Sequence, residues 1–278
     1  MFPSDIQAVI DDFLPICREL ADGRYAVSIG GSRARKTSDE LSDIDFRLFC
    51  DSLVQEPDQG ARFEEQLEAS IQRWSRQGII IDGCWIRKIE DIDAQLNQWR
   101  AGVIAPQELI WSVWGYHLLS DIYQQTVVDD PFGVIGRWKE QLRQYPPMLK
   151  QALLQKHLES IRYWRNDYHY RNKVQRKDSV FLAGLTSKLV HDLIQILFAL
   201  NETYYVGDGY NLVVVGQFRH VPHDFAAKVE AVLYPGQATD VFEKQRSALL
   251  QLVDDVEELV ERLGMSTAAR DPNASAPS

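Results

Sequence analysis

Gly30-Gly31-Ser32-Arg33-Ala34-Arg35-Lys36-Thr37-Ser38-Asp39-Glu40-Leu41-Ser42-Asp43-Ile44-Asp45-Phe46 sets two carboxylates just downstream of a glycine-serine turn. On its N-terminal side, Tyr25 to Ile29 alternates large and small residues and is rich in β-formers. On its C-terminal side, Ile44 to Cys50 repeats the two-residue period, with Ile44, Phe46 and Leu48 facing one way. Asp43 and Asp45 therefore share the opposite face. The order is strand, glycine-serine turn, loop, strand.

Two carboxylates on one strand face need a compensating charge. At about 4 Å their repulsion is about 4 kcal/mol for an effective dielectric of about 20. A divalent cation supplies the compensation, and two carboxylates completed by phosphate oxygens and water suit Mg²⁺. Upstream, Gly30 and Gly31 let the backbone turn sharply and approach a phosphate, while Ser32 offers a hydroxyl and an amide. Arg33, Arg35 and Lys36 add positive charge beside them. Neither an isolated Asp-x-Asp nor an isolated Gly-Gly-Ser carries this reading; their order and spacing do.

Residues 25 to 50 resemble the signature of the nucleotidyltransferase superfamily that shares its palm with DNA polymerase β. The likeness includes the Gly-Ser-x-Ala-Arg start and the Ser-Asp-Ile-Asp end of the small bacterial members. Lys36 departs from it, standing where many members have glycine, and implies a different loop path. The resemblance implies Asp43 and Asp45 as metal ligands, a third acid on a later strand, and Gly31 and Ser32, with Arg35, as nucleotide-binding residues.

For the third acid the best candidate is Asp82, in Ile79-Ile80-Ile81-Asp82-Gly83-Cys84-Trp85-Ile86, where one carboxylate interrupts an apolar run. Alternation puts Asp82 on the face of Ile80 and Cys84, and a lone acid in a buried strand needs a partner or a metal. Glu90, Asp91 and Asp93 compete for the role, in a polar stretch that reads as the start of a surface helix. A structural acid satisfied by its neighbours is the plain alternative.

The chain of 278 residues, 45% hydrophobic, can bury a substantial core and allows two domains. No signal pattern and no apolar run of spanning length stands out in the sequence, which gives the expectation of a cytoplasmic protein without a membrane partner. Cys17, Cys50 and Cys84 lack metal-ligand spacing and read as reduced core thiols. A net charge of −10 argues against a general electrostatic grip on nucleic acid. It leaves room for a local basic groove from Arg162, Arg165, Arg171, Lys173, Arg176 and Lys177, although Glu159, Asp167 and Asp178 offer these cations partners on a solvated helix face.

From about Pro131 onward helical patterns take over, with Tyr145-Pro146-Pro147 separating two of them. Residues 148 to 170 and 180 to 200 carry apolar residues at spacings of three and four, and Leu182, Leu185, Leu189, Leu193, Ile196 and Leu197 make a wide stripe. A charged helix is expected over roughly 239 to 263, and a disordered tail from 266. The expected class is α+β: a mixed-sheet nucleotidyltransferase palm over 1–130 and a helical, substrate-binding bundle over 131–265.

This layout resembles the bacterial antibiotic-modifying nucleotidyltransferases and their uncharacterised relatives. It implies transfer of a nucleoside monophosphate, AMP from ATP in the first instance, to a hydroxyl of a small molecule such as an aminoglycoside or lincosamide, with Mg²⁺ and release of pyrophosphate. Asp82 would complete the site as third ligand or general base. Transfer to tRNA or protein, and a silent nucleotide-binding regulator, are the competing functions. Lys188, a charge in an apolar helix, is a further nucleotide-binding candidate, or a lysine snorkelling from the core. His191, Asp192 and the pair Trp111 and Trp114 read first as packing residues.

Overall fold

The computed structural model describes residues 3–55, 59–236 and 240–265. The expected tail from 266 lies outside the described residues. The chain divides into two compact units, one of Met1–Trp99 and His117–Gln144, the other of Arg100–Tyr116 and Tyr145–Ser278. A single cut after residue 130 does not reproduce this division: the segment before His117 belongs with the helices, and the helix after Pro131 belongs with the sheet.

The first unit runs α1 (Ser4–Leu20), β1 (Ala21–Ile29), α2 (Gly31–Arg35), β2 (Ile44–Leu53), α3 (Gln59–Ser75), β3 (Ile81–Lys88), α4 (Ile89–Arg100), α5 (Leu118–Gln124), β4 (Thr126–Asp129) and α6 (Val134–Gln141). Its sheet is mixed, in the order β3-β2-β1-β4. β1 pairs antiparallel with β2 and β4, whereas β2 and β3 are parallel. The connection over residues 30–43, which holds α2, returns the chain antiparallel, and the longer α3 connection permits the parallel pair. The fold is α+β.

Ile44, Phe46 and Leu48 face one way as the alternation requires, into a core with Ile6, Val9, Ile10, Phe13 and Cys17 of α1. Those helix positions recur every three or four residues and form one buried stripe. Phe13 and Phe46 stack there at 4.0 Å between ring centroids. The opposite sheet face also has a helical cover, since Phe49 meets Trp138 of α6 edge-on at 5.0 Å. Asp45 and Arg47 share that second face.

The second unit contains α7 (Pro147–Asn166), α8 (Tyr168–Gln175), α9 (Ser179–Leu200), α10 (Asn211–Val215), α11 (Phe225–Leu233) and α12 (Val241–Arg262). Pro147 opens α7, where the missing N–H costs no intrahelical bond. Asp167 and Asp178 cap α8 and α9 by accepting from the Tyr170 and Phe181 amides. Every member of the predicted leucine stripe on α9 is buried. That helix has a window of mean hydropathy 1.4, long and apolar enough to cross a membrane, which the sequence reading did not pick out; 61% of the window is buried within the protein.

Half of the basic stretch is spent on acids. Arg162 and Arg165 pair with Glu257 and Asp254 of α12, and Lys173 pairs with Asp178. Cys17, Cys50 and Cys84 are free thiols. Burial pushes the Cys50 thiol up to about 11, and a hydrogen bond with Cys84, reinforced by burial, holds Cys17 well above the ordinary thiol value. Both stay protonated and unreactive near neutral pH.

Candidate functional site

The site is built on the turn between β1 and β2. Gly30 N–H donates to the Asp45 carbonyl at 2.9 Å, fixing the end of β1 against the start of β2. Gly31 then adopts φ +63°, and a Cβ built on it would lie 1.8 Å from Asp45 Oδ2. Both the left-handed backbone and the space demand glycine here. The Asp45 carboxylate thus rests directly on the Gly31 backbone. Arg33 clamps the far end of the loop, donating to the carbonyls of Asp43 at 2.7 Å and Ser42 at 2.6 Å.

The electrostatics around Asp45 are those of an under-compensated acid. Burial raises its pKa above the ordinary 3.8, Asp43 and Asp121 push the same way, and Arg47 and Arg35 oppose them. Arg47 approaches at 3.7 Å, an ion-pair distance without a hydrogen bond. Asp43, half-buried at the head of β2, makes no side-chain hydrogen bond among the described residues.

Asp121 is the acid the sequence reading missed. It lies on α5, with its side chain 9% exposed, and accepts from Arg47 Nε at 3.2 Å while Arg87 stands 4.0 Å away. A Cβ on Gly30 would come within 2.9 Å of Asp121 Oδ1 and of an Arg47 nitrogen, so both glycines of the turn are shaped by carboxylates. Its one sequence signal is a charge inside Leu118-Leu119-Ser120-Asp121-Ile122, a short run otherwise free of charge.

Asp82 is placed differently from expectation. Ile44 pairs with Ile81 and Asp45 with Gly83, so Asp82 is the extra residue of a β-bulge. It is exposed, while Cys84 packs toward the core, so the two do not share a buried face. The parity of the alternation breaks at the bulge, where Gly83 has φ +109°. Of the competing acids, Asp93 is structural, holding Arg137 and the Trp138 indole N–H.

Among the described residues no three His, Cys, Asp or Glu side chains form a ready-made cation cage. The donor set of Asp43 and Asp45 nevertheless fits Mg²⁺: two half-buried carboxylates, with the remaining positions left for water and phosphate oxygens. Lys188 belongs to the second unit, in a network with Ser160 and Asp192. Trp114 stacks on His191 at 4.1 Å and is a packing residue, whereas Trp111 is 64% exposed.

Residues 111–208 match the profile of a domain of unknown function (DUF4037). The glycine turn and the Asp-x-Asp strand precede that match. Among solved structures, the chain is similar to a nucleotidyltransferase-like protein from Exiguobacterium sibiricum, with a TM-score of 0.46 and 8% identity over 91% of this chain and 75% of that one. No curated protein matches the chain.

Proposed function

We propose that this chain is a Mg²⁺-dependent nucleotidyltransferase that moves a nucleoside monophosphate, in the first instance AMP from ATP, to a hydroxyl of a small molecule. The observation that carries the reading is Asp45, half-buried with a raised pKa and resting on the Gly31 backbone beside Asp43. Such a carboxylate is costly alone and favourable next to a cation.

In this reading Asp43 and Asp45 hold the cation, and Gly31, Ser32 and Arg35 hold the triphosphate, the glycine by admitting close approach and the arginine by charge. Bound Mg²⁺ would neutralise phosphate oxygens and acidify the acceptor hydroxyl. Arg47, held by Asp121, offsets part of the Asp45 charge. In this reading Asp121, whose charge acts on Asp45, is the third acid in place of the exposed Asp82. The net charge of −10 favours a cationic acceptor, such as an aminoglycoside, over an anionic one. The ion pairs of Arg162, Arg165 and Lys173 weigh against tRNA as acceptor, because their charges are already compensated.

The test is label transfer from each α-labelled nucleoside triphosphate with Mg²⁺, against separate pools of aminoglycosides, lincosamides, tRNA and cell protein. Transfer to a small-molecule pool, lost in Asp45→Asn, is the expected result. Transfer to tRNA or protein alone would replace the acceptor class, and nucleotide binding without transfer in any pool would favour a regulatory role.

A further inference from the structure

A cavity of about 410 Å³ opens beside the glycine turn, within the sheet unit. Pro3 and Ile6 at the start of α1 and Ile29 at the end of β1 make its apolar wall, while Arg33, Lys36, Ser38 and Thr126 make its polar one. Small-molecule sites commonly enclose about 300–1,000 Å³, and this cavity falls at the small end of that range. Ile6 and Ile29 belong to the core under α1, so the cavity lies on the α1 face of the sheet. Asp45 points to the other face, with Arg47. The cations of the turn are divided in the same way: Arg35 acts on the Asp45 charge, whereas Arg33 and Lys36 line the cavity.

The polar wall has bonding capacity left over. Among the described residues the Lys36 ammonium makes neither an ion pair nor a hydrogen bond, and the hydroxyls of Ser38 and Thr126 make no hydrogen bond. Arg33 spends Nε and one terminal nitrogen on the carbonyls of Asp43 and Ser42, and a guanidinium has five N–H groups to give. The Lys36 backbone adds a separate observation. Its φ is +59°, in the left-handed region that favours glycine. The close of α2 accounts for that conformation, through the Lys36 N–H donating to the Arg33 carbonyl, but it gives no reason for a lysine there. A charged side chain held on strained backbone, at the rim of a cavity and without a protein partner, is placed for a ligand.

We propose that this cavity binds a small monocarboxylic acid with a compact apolar body, aromatic or branched. Lys36 and Arg33 take the carboxylate, Ser38 and Thr126 supply further donors to its lone pairs, and Pro3, Ile6 and Ile29 cover the body. One acidic head matches the single polar wall, and an apolar remainder matches the other. Arg33 also holds the Asp43 carbonyl, so the occupied cavity is joined to the loop that carries Asp43. The site does not depend on the transfer reaction proposed above.

Ligand-observed NMR titration of the full chain, in EDTA and without nucleotide, tests the site with benzoate, phenylacetate and isovalerate as probes and with benzamide and inorganic phosphate as controls. The expected result is saturable binding of at least one acid, weakened at least about tenfold in Lys36→Gly and at least about tenfold for benzamide, each removing one charge-assisted contact. Glycine relieves the left-handed backbone, so the thermal midpoint of Lys36→Gly should hold and misfolding would not account for the loss. Thr126→Val keeps the side-chain shape and should weaken binding a few-fold. Asp45→Asn should leave it unchanged. No binding of any acid, equal affinity in wild type and Lys36→Gly, or a loss in Asp45→Asn overturns the inference; phosphate binding more tightly than every acid overturns the carboxylate assignment.

Discussion

Asp45 in the sheet unit is half-buried and Asp192 in the helical unit is buried, and their pKa values move in opposite directions. Burial raises both. Asp192 accepts from His157, Ser160 and Lys188, and these bonds outweigh burial to lower its pKa. Asp45 has Arg47 at 3.7 Å and acidic neighbours in Asp43 and Asp121, so burial wins. Depth alone does not distinguish a structural acid from a reactive one. The number of donors already aimed at it does.

The comparison breaks most visibly on Asp45→Asn. Transfer should fall by about 10³-fold or more, since the charge at the reacting phosphates is lost, while the thermal midpoint should rise because a disfavoured charge is removed. An unchanged or lower midpoint would show that Asp45 is compensated after all. Asp192→Asn should do the reverse to stability, costing about 2 kcal/mol in urea unfolding as His157 and Ser160 lose a charged acceptor. Gly31→Ala should cost about 2 kcal/mol from the left-handed backbone and the collision with Asp45, and should damage nucleotide binding with it. Asp121→Asn is the smallest change: transfer is expected to drop about tenfold as Arg47 loses its anchor. Full activity in that variant would make Asp121 purely structural.

Stability against pH sharpens the contrast. Asp45 has a folded pKa above 3.8, so its favourable contribution is present in acid and fades as pH rises through that raised value. Asp192 has a folded pKa below 3.8, so its contribution is present above 3.8 and is lost as pH falls through the lower value. His157, lowered from 6.5, adds to the acid sensitivity, because its neutral form stabilises the fold above 6.5 and protonation erodes this as pH falls. The midpoint advantage of Asp45→Asn should therefore grow above pH 3.8, and the deficit of Asp192→Asn should shrink below it.

Local sequence carried the turn and its acids. Ile44, Phe46 and Leu48 alternate, Gly30 and Gly31 stand before Ser32, and pairing of β1 with β2 needs only short-range closure. Asp121 was not legible because it reaches Arg47 across 74 residues of chain. Asp82 was misread because alternation assumes an unbroken ladder, and one inserted residue exchanges the two faces. The Asp192 network was hidden for a related reason: His157 and Ser160 on one helix and Lys188 and Asp192 on another are each i,i+3 or i,i+4 pairs, and only the pairing of α7 with α9 joins them.

The bulge at Asp82 has a consequence for aggregation. β3 is a terminal strand of the four-stranded sheet, and an open strand edge invites another chain to pair with it. Asp82 and Gly83 interrupt the spacing of its amides at one end, and exposed Lys88 adds a charge at the other. An incoming strand would meet a ladder out of step and would bring little but solvated charge into register. The residue first read as a buried acid on β3 sits where it can keep neighbouring molecules apart.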